Sequence, residues 1–107
     1  AANTDDTEVL SALLYTLKHD PNVNVRLAAA DALRSFRGIP LVRQSLPDAL
    51  AAQNSPLVQI ALVDLIADLE DPMARAALRK AAHDETLDPV VRDRALKAIK
   101  LMQGGFK

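Results

Sequence analysis

Residues Ser55–Leu69, SPLVQIALVDLIADL, form the most apolar stretch of the chain and lie at its middle. Between Leu57 and Leu69 only Gln59, Asp64 and Asp68 are polar. At about 100° per residue the two aspartates share one narrow stripe, while Val58, Leu62, Leu65, Ile66 and Leu69 occupy the opposite face and Val63 flanks it. A helix with so little polar surface needs neighbours on more than one side. The stretch therefore predicts a central helix against which the other segments stack.

Upstream, Val9, Leu10, Leu13, Leu14 and Leu17 recur at helical spacing, which predicts a first helix over about 6–18. Asp5 followed by Glu8 fits a capping box, and Lys18 to Pro21 supplies a stop. The four residues before this helix read as a frayed end. A second helix follows in VNVRLAAADALRSF, with Val25, Ala29, Ala32, Leu33 and Phe36 as its apolar face and Gly38 ending it near residue 37. Pro40 suits the first turn of a third helix, 41–52, with Val42, Leu46 and Leu50 inward and Pro47 bending it. Downstream of the central stretch, Asp71 and Pro72 open a fifth helix that runs to about Ala82 around Leu78 and small alanines. Pro89 starts a sixth, with Val91, Ala95, Ala98, Ile99 and Met102 inward and Gly104 and Gly105 stopping it.

Composition narrows the class. At 107 residues there is material for one modest core. Half of the residues are hydrophobic but only 3% are aromatic, so the core is built from Ala, Leu, Val and Ile, which favours closely packed helices over a sheet. A net charge of −1 gives no field that draws the chain to nucleic acid or an anionic membrane. With no cysteine there is no disulfide or thiolate chemistry, and the compartment is left undetermined. No apolar run approaches a membrane span, and AANTDDTE is not a signal peptide. Ala1 is not an initiator methionine, so the sequence reads as excised from a longer protein.

Six helices in pairs prompt a search for a repeat. Val25-Arg26-Leu27-Ala28 aligns with Val58-Gln59-Ile60-Ala61, and Val91-Arg92 falls in the next register, each 33 residues on. The same offset pairs Asp31 with Asp64, Leu33 with Ile66 and Ile99, and Pro56 with Pro89. The expected architecture is an all-α, right-handed solenoid of three helix pairs in one domain over 1–107, with repeats at about 6–37, 40–69 and 71–103.

On these residues the chain resembles the HEAT-repeat family. HDPNVNVRLAAADAL (His19–Leu33) looks like the second half of such a repeat, and LDPVVRDRALKAI (Leu87–Ile99) is a second match. The resemblance implies an Asp in the inter-helix turn and an Arg early in the second helix, hydrogen-bonded as a ladder between repeats. Asp20 and Arg26 fit in the first repeat and Arg92 in the third, whereas the middle one has Gln59 in place of Arg and no Asp in its turn. LLYTLKHDPNVNVRLAAADAL followed by SPLVQIALVDLI is also similar to HEAT domains at the C-terminal end of bacterial membrane-anchored, anti-sigma-factor-like proteins. That would make the chain their soluble, partner-binding part.

Candidate chemistry is sparse. His19 and His83, each followed by Asp, lie too far apart along a solenoid to share a metal and read as helix-end residues beside carbonyl ends. Asp64 and Asp68 lie one turn apart, yet no nucleophile, phosphate-binding glycines or oxyanion donor accompanies them, and we expect no catalysis and no cofactor. The stripe Asp31, Asp64, Lys97 changes sign between repeats and suits no phosphate backbone. Partner binding remains. In HEAT-type stacks the second helices line the concave surface, giving rows Asn24, Leu57, Val90 and then Leu27, Ile60, Asp93, bordered by Asp31, Asp64 and Asp68. Leu27, Leu57, Ile60 and Val90 form an apolar strip for a peptide or an amphipathic helix carrying Lys or Arg. The expected function is thus a non-enzymatic protein-interaction module. The alternatives are a structural spacer or homo-oligomerisation segment, or a fragment of a HEAT-containing lyase whose catalytic part lies elsewhere.

Overall fold

The computed structural model describes residues 4–69 and 71–104, with side chains from 7 to 102. Six α-helices follow one another: α1 (Thr4–His19), α2 (Val23–Arg34), α3 (Pro40–Ala51), α4 (Pro56–Ala67), α5 (Pro72–Ala82) and α6 (Pro89–Gly104). Local chemistry sets most of their starts. The Asn22 side chain accepts from the Asn24 and Val25 amides at 2.8 and 3.3 Å, and Asp71 accepts from the Ala74 amide at 2.7 Å. Pro40, Pro56, Pro72 and Pro89 each take the first helical position, where no amide donor is needed. Pro47 lies inside α3, as expected.

The helices pair as α1–α2, α3–α4 and α5–α6, and the second helices lie side by side in the order α2, α4, α6. The result is a slab two helices thick, 39 × 33 × 16 Å, an all-α helical-repeat solenoid. Helix α4 packs against α2, α3, α5 and α6, with Val58, Leu62, Val63, Leu65 and Ile66 all fully buried. This is the central helix that Ser55–Leu69 predicts. Around it the core continues through Leu17, Leu33, Leu46, Leu78 and Val91.

Several local expectations are corrected. Helix α1 already includes Asp5, so that residue sits in the first turn and not at the N-cap; its side chain lies outside the described residues, as do residues 1–3. Helix α2 ends at Arg34, and residues up to Ile39 form tight turns, with the Phe36 amide on the Leu33 carbonyl and the Ile39 amide on that of Phe36. The buried face of α2 is Arg26, Ala29, Ala30 and Leu33, while Val25 is 39% exposed. Its counterparts Val58 and Val91 are fully buried, on helices that pack against a preceding second helix, and among the described residues no helix pair precedes α2. Helix α6 runs through Gly104, and Gly105 lies outside the described residues.

The repeat also has two periods. The second helices keep the spacing of 33, as in Leu33, Ile66 and Ile99. Buried positions of the first helices, Leu10, Val42, Ala74 and again Leu14, Leu46, Leu78, recur one residue sooner. The inter-helix turn lengthens along the chain to compensate, from 20–22 to 52–55 to 83–88. Helices α3 and α5 scarcely touch, leaving a cleft of about 250 Å³ lined by Leu50, Gln53, Gln59, Ala77, Lys80 and Thr86.

Candidate functional site

Two sets of polar contacts knit the repeats together, and they determine what the open face of the second-helix layer can do. The first is buried. Arg26 Nη1 on α2 donates to Gln53 Oε1 at 2.8 Å and to Asn54 Oδ1 at 3.3 Å in the α3–α4 turn. Gln53 Nε2 donates to the Leu17 carbonyl at 2.7 Å, and Gln59 Nε2 donates to the Gln53 carbonyl at 2.9 Å. Gln53 stands 33 residues after Asp20, so it fills the turn slot where the family pattern has Asp, and a neutral amide does the work of the carboxylate. The residue pattern Asp20, Arg26, Gln59 and Arg92 points to the ladder but misses Gln53, its hub. Asp20 itself accepts from the Asn22 amide at 2.9 Å, shaping the first turn. Arg92 makes no hydrogen bond to a described residue, and its Nε is buried without a partner.

The second set lies on the open face. Arg94 grips Asp64 in a two-point pair, Nε to Oδ1 and Nη2 to Oδ2, both at 2.8 Å. The hydrogen bond and charge of Asp64 hold the Arg94 guanidinium pKa above its ordinary value. Arg34 pairs with Asp68, and Lys97 with Asp93 at 3.1 Å. Asp64 on α4 and Asp68 at its C-cap are thereby bridged to different neighbours, Asp68 to α2 and Asp64 to α6. Of the anticipated acidic border, Asp64 and Asp68 carry their own counter-charges. Asp31 is exposed and has no ion pair among the described residues.

The apolar strip divides in two. Leu57 and Val90 stand 63% and 61% exposed at equivalent places on α4 and α6, in line with exposed Asn24 on α2. Leu27 and Ile60 are half-buried and pack against the core. A groove of about 480 Å³ runs between the C-terminal halves of α4 and α6, floored by Ala67, Ala98 and Met102 and edged by the Asp64–Arg94 pair. On the opposite layer Val9, Leu41 and Met73 form a second exposed apolar row. That row is invisible at a spacing of 33 and aligns only at the shorter period of the first helices.

The two histidines are far apart in role. His19 packs its ring against Tyr15 at 4.5 Å, and His83 ends α5. Beside it Asp84 is held below its ordinary value by the Thr86 hydroxyl first and then the Thr86 amide, which outweigh the opposing effect of desolvation, with smaller help from the charges of Lys80 and Arg92. Among the described residues no helix is long and apolar enough to cross a membrane.

Three helix pairs stacked side by side, the first two joined by buried polar contacts, define a helical-repeat protein. Residues 9–36, most of the first helix pair and the turn after it, match the family model described as HEAT repeat. No curated protein and no solved structure gives a significant match. The other two pairs resemble the matched one by register: Ala29, Leu62 and Ala95 are buried at the same place in successive second helices.

Proposed function

We propose that this chain is a non-catalytic protein-interaction module that receives a peptide or amphipathic helix on the open α2–α4–α6 face. The observation that carries the reading is the exposed pair Leu57 and Val90, two large apolar side chains aligned on neighbouring helices beside half-buried Leu27 and Ile60. Isolated exposed leucines are ordinary, but an aligned pair continuous with partly covered neighbours makes an apolar surface that a helix can cover. The ion pairs flanking it are exposed and can exchange partners at little cost, so a Lys- or Arg-bearing ligand finds carboxylates within reach. A soluble regulatory part of an anti-sigma-factor-like protein is the narrower form of this reading, and it rests on the likeness of Leu13–Leu33 and Ser55–Ile66 alone.

Because Leu27 and Ile60 belong partly to the core, the test belongs on Leu57 and Val90. Panning a displayed library of helical peptides against the chain is expected to enrich binders that the variant Leu57→Glu/Val90→Glu no longer retains, with its circular dichroism unchanged. Binders lost instead on Leu41→Glu/Met73→Glu would move the site to the other layer, and no enrichment at all would remove the proposal.

A further inference from the structure

The cleft between α3 and α5 lies at a place that the first junction fills. In the register of the second helices, Arg26, Gln53 and Asn54 correspond, 33 residues on, to Gln59, Thr86 and Leu87. At the first junction those residues make the buried rung, with Arg26 Nη1 donating to Gln53 Oε1 at 2.8 Å and to Asn54 Oδ1 at 3.3 Å. At the second junction all three counterparts line the cleft of about 250 Å³. Gln59 does not reach across to Thr86, because its Nε2 turns back to the Gln53 carbonyl at 2.9 Å. The cleft is thus the place of a rung whose guanidinium the sequence does not supply.

The polar groups around it are chiefly acceptors. Gln59 is 5% exposed, and its Oε1 has no partner among the described residues yet is not sealed from solvent, so its donor must come from the cleft. Half-buried Asp84 accepts from the Thr86 amide and hydroxyl on Oδ1, at 2.9 and 2.6 Å, and its Oδ2 has no partner among the described residues. Thr86 Oγ1 keeps its lone pairs. Exposed Asp48 on α3 and exposed Lys80 on α5 complete the charges of the lining, and neither is in an ion pair with a described residue. Buried Leu50 and Leu87 supply apolar wall.

We propose that the α3–α5 cleft binds a free amino acid of the arginine class, an alkyl-guanidinium that carries its own ammonium and carboxylate. Its guanidinium takes the place that Arg26 holds at the first junction and spreads its donors over the Gln59 oxygen, the Thr86 hydroxyl and the Asp84 carboxylate. A lysine ammonium is a compact point charge and matches such a spread of acceptors less well. The methylene stem lies along Leu50 and Leu87. The occupant is the free amino acid because two carboxylates and one ammonium in the lining are the reverse of its own charges, with Asp48 facing its ammonium and Lys80 its carboxylate. A cleft of about 250 Å³ also suits a ligand smaller than a drug-sized one. The site involves neither Leu57 nor Val90 and is independent of the peptide-binding reading.

Titration of the nitrogen-15-labelled chain with L-arginine, followed by NMR, tests the proposal. Saturable shifts are expected at the Gln59 side-chain amide and the Thr86 backbone amide. L-citrulline, which has the same shape but no charge on its head, and L-lysine should each bind at least about tenfold more weakly. Arginine capped at both ends, as it stands within a polypeptide, should also lose about tenfold, and Lys80→Ala should weaken free arginine while leaving the capped form unaffected. Gln59→Arg supplies the guanidinium from α4 itself and should abolish binding with its circular dichroism unchanged. Should that variant fail to fold, Asp84→Asn takes its place, and it should weaken arginine and narrow the gap to citrulline. No shift at about 50 mM arginine, a concentration that even a contact weaker than millimolar would reveal, overturns the proposal. So does citrulline binding as well as arginine, capped arginine binding as well as free, or binding that survives Gln59→Arg or is unchanged in Asp84→Asn.

Discussion

Gln53 illustrates how much one polar side chain can hold in a core otherwise made of Ala, Leu, Val and Ile. It is 7% exposed, takes the Arg26 guanidinium on its oxygen, and gives its amide to the Leu17 carbonyl at the end of α1. It thereby ties α1, α2 and the α3–α4 turn to one point. Gln53→Ala would leave the Arg26 donor and the Leu17 acceptor without these partners in a buried setting. An orphaned group costs about 1–3 kcal/mol, and Arg26 keeps its longer bond to Asn54, so urea denaturation should show a loss of roughly 1–3 kcal/mol from Leu17 with a smaller addition from Arg26, and less where water enters from the adjoining cleft. Gln53→Glu keeps the acceptor for Arg26 and loses only the donor, and should fall between. Equal stability of all three chains would mean that the network contributes nothing. A lone glutamine before Asn54 carries the local signature of a turn, and its role follows only from counting one period on from Asp20 and allowing an amide where the family pattern has a carboxylate.

Among the elements, α4 was the most legible and α2 the least, for a common reason. A helix that is apolar on nearly every side can only be surrounded, and α4 is packed by four others. Helix α2 has the same local pattern on its outward side as its interior counterparts, so Val25 reads as core although no described helix pair covers it. Periodicity reports which residues could be buried, while position in the stack decides which are. The first helices were obscured differently: their period is one residue shorter, and a single spacing of 33 hides the alignment of Val9, Leu41 and Met73. The central role of α4 has a direct consequence. Leu62 is fully buried between neighbours that cannot all collapse at once, so Leu62→Ala should cost about 2–5 kcal/mol in the midpoint and slope of a denaturant titration. A loss under about 1 kcal/mol would contradict a packed centre.

At the scale of the whole molecule, stability should not be spread evenly along the stack. A helical-repeat protein is held by contacts within pairs and between neighbouring pairs, so its weakest junction sets where it opens. The junction of the first and second pairs has α1 against α3, α2 against α4, the buried Arg26–Gln53 contact and the Arg34–Asp68 pair. The junction of the second and third pairs has α4 against both α5 and α6, but α3 and α5 are separated by the cleft, and Gln59 spends its amide on its own turn instead of reaching across. Its direct ion pair, Arg94 with Asp64, is exposed to solvent, as is the Arg34–Asp68 pair of the other junction, so neither decides between them. The α5–α6 hairpin, by contrast, is closely packed within itself. Helix α4 packs on α6 at least as closely as on α2, so what sets the second junction apart is the missing first-helix contact and buried polar bridge, and on these the hairpin should detach as a unit. In native-state hydrogen exchange, the slowest amides of α5 and α6 should share one opening free energy, lower than that of α4, and Gln53→Ala should narrow the gap by weakening the other junction. Protection that is uniform from α1 to α6 would mean that the cleft carries no energetic weight and that the three pairs open only together.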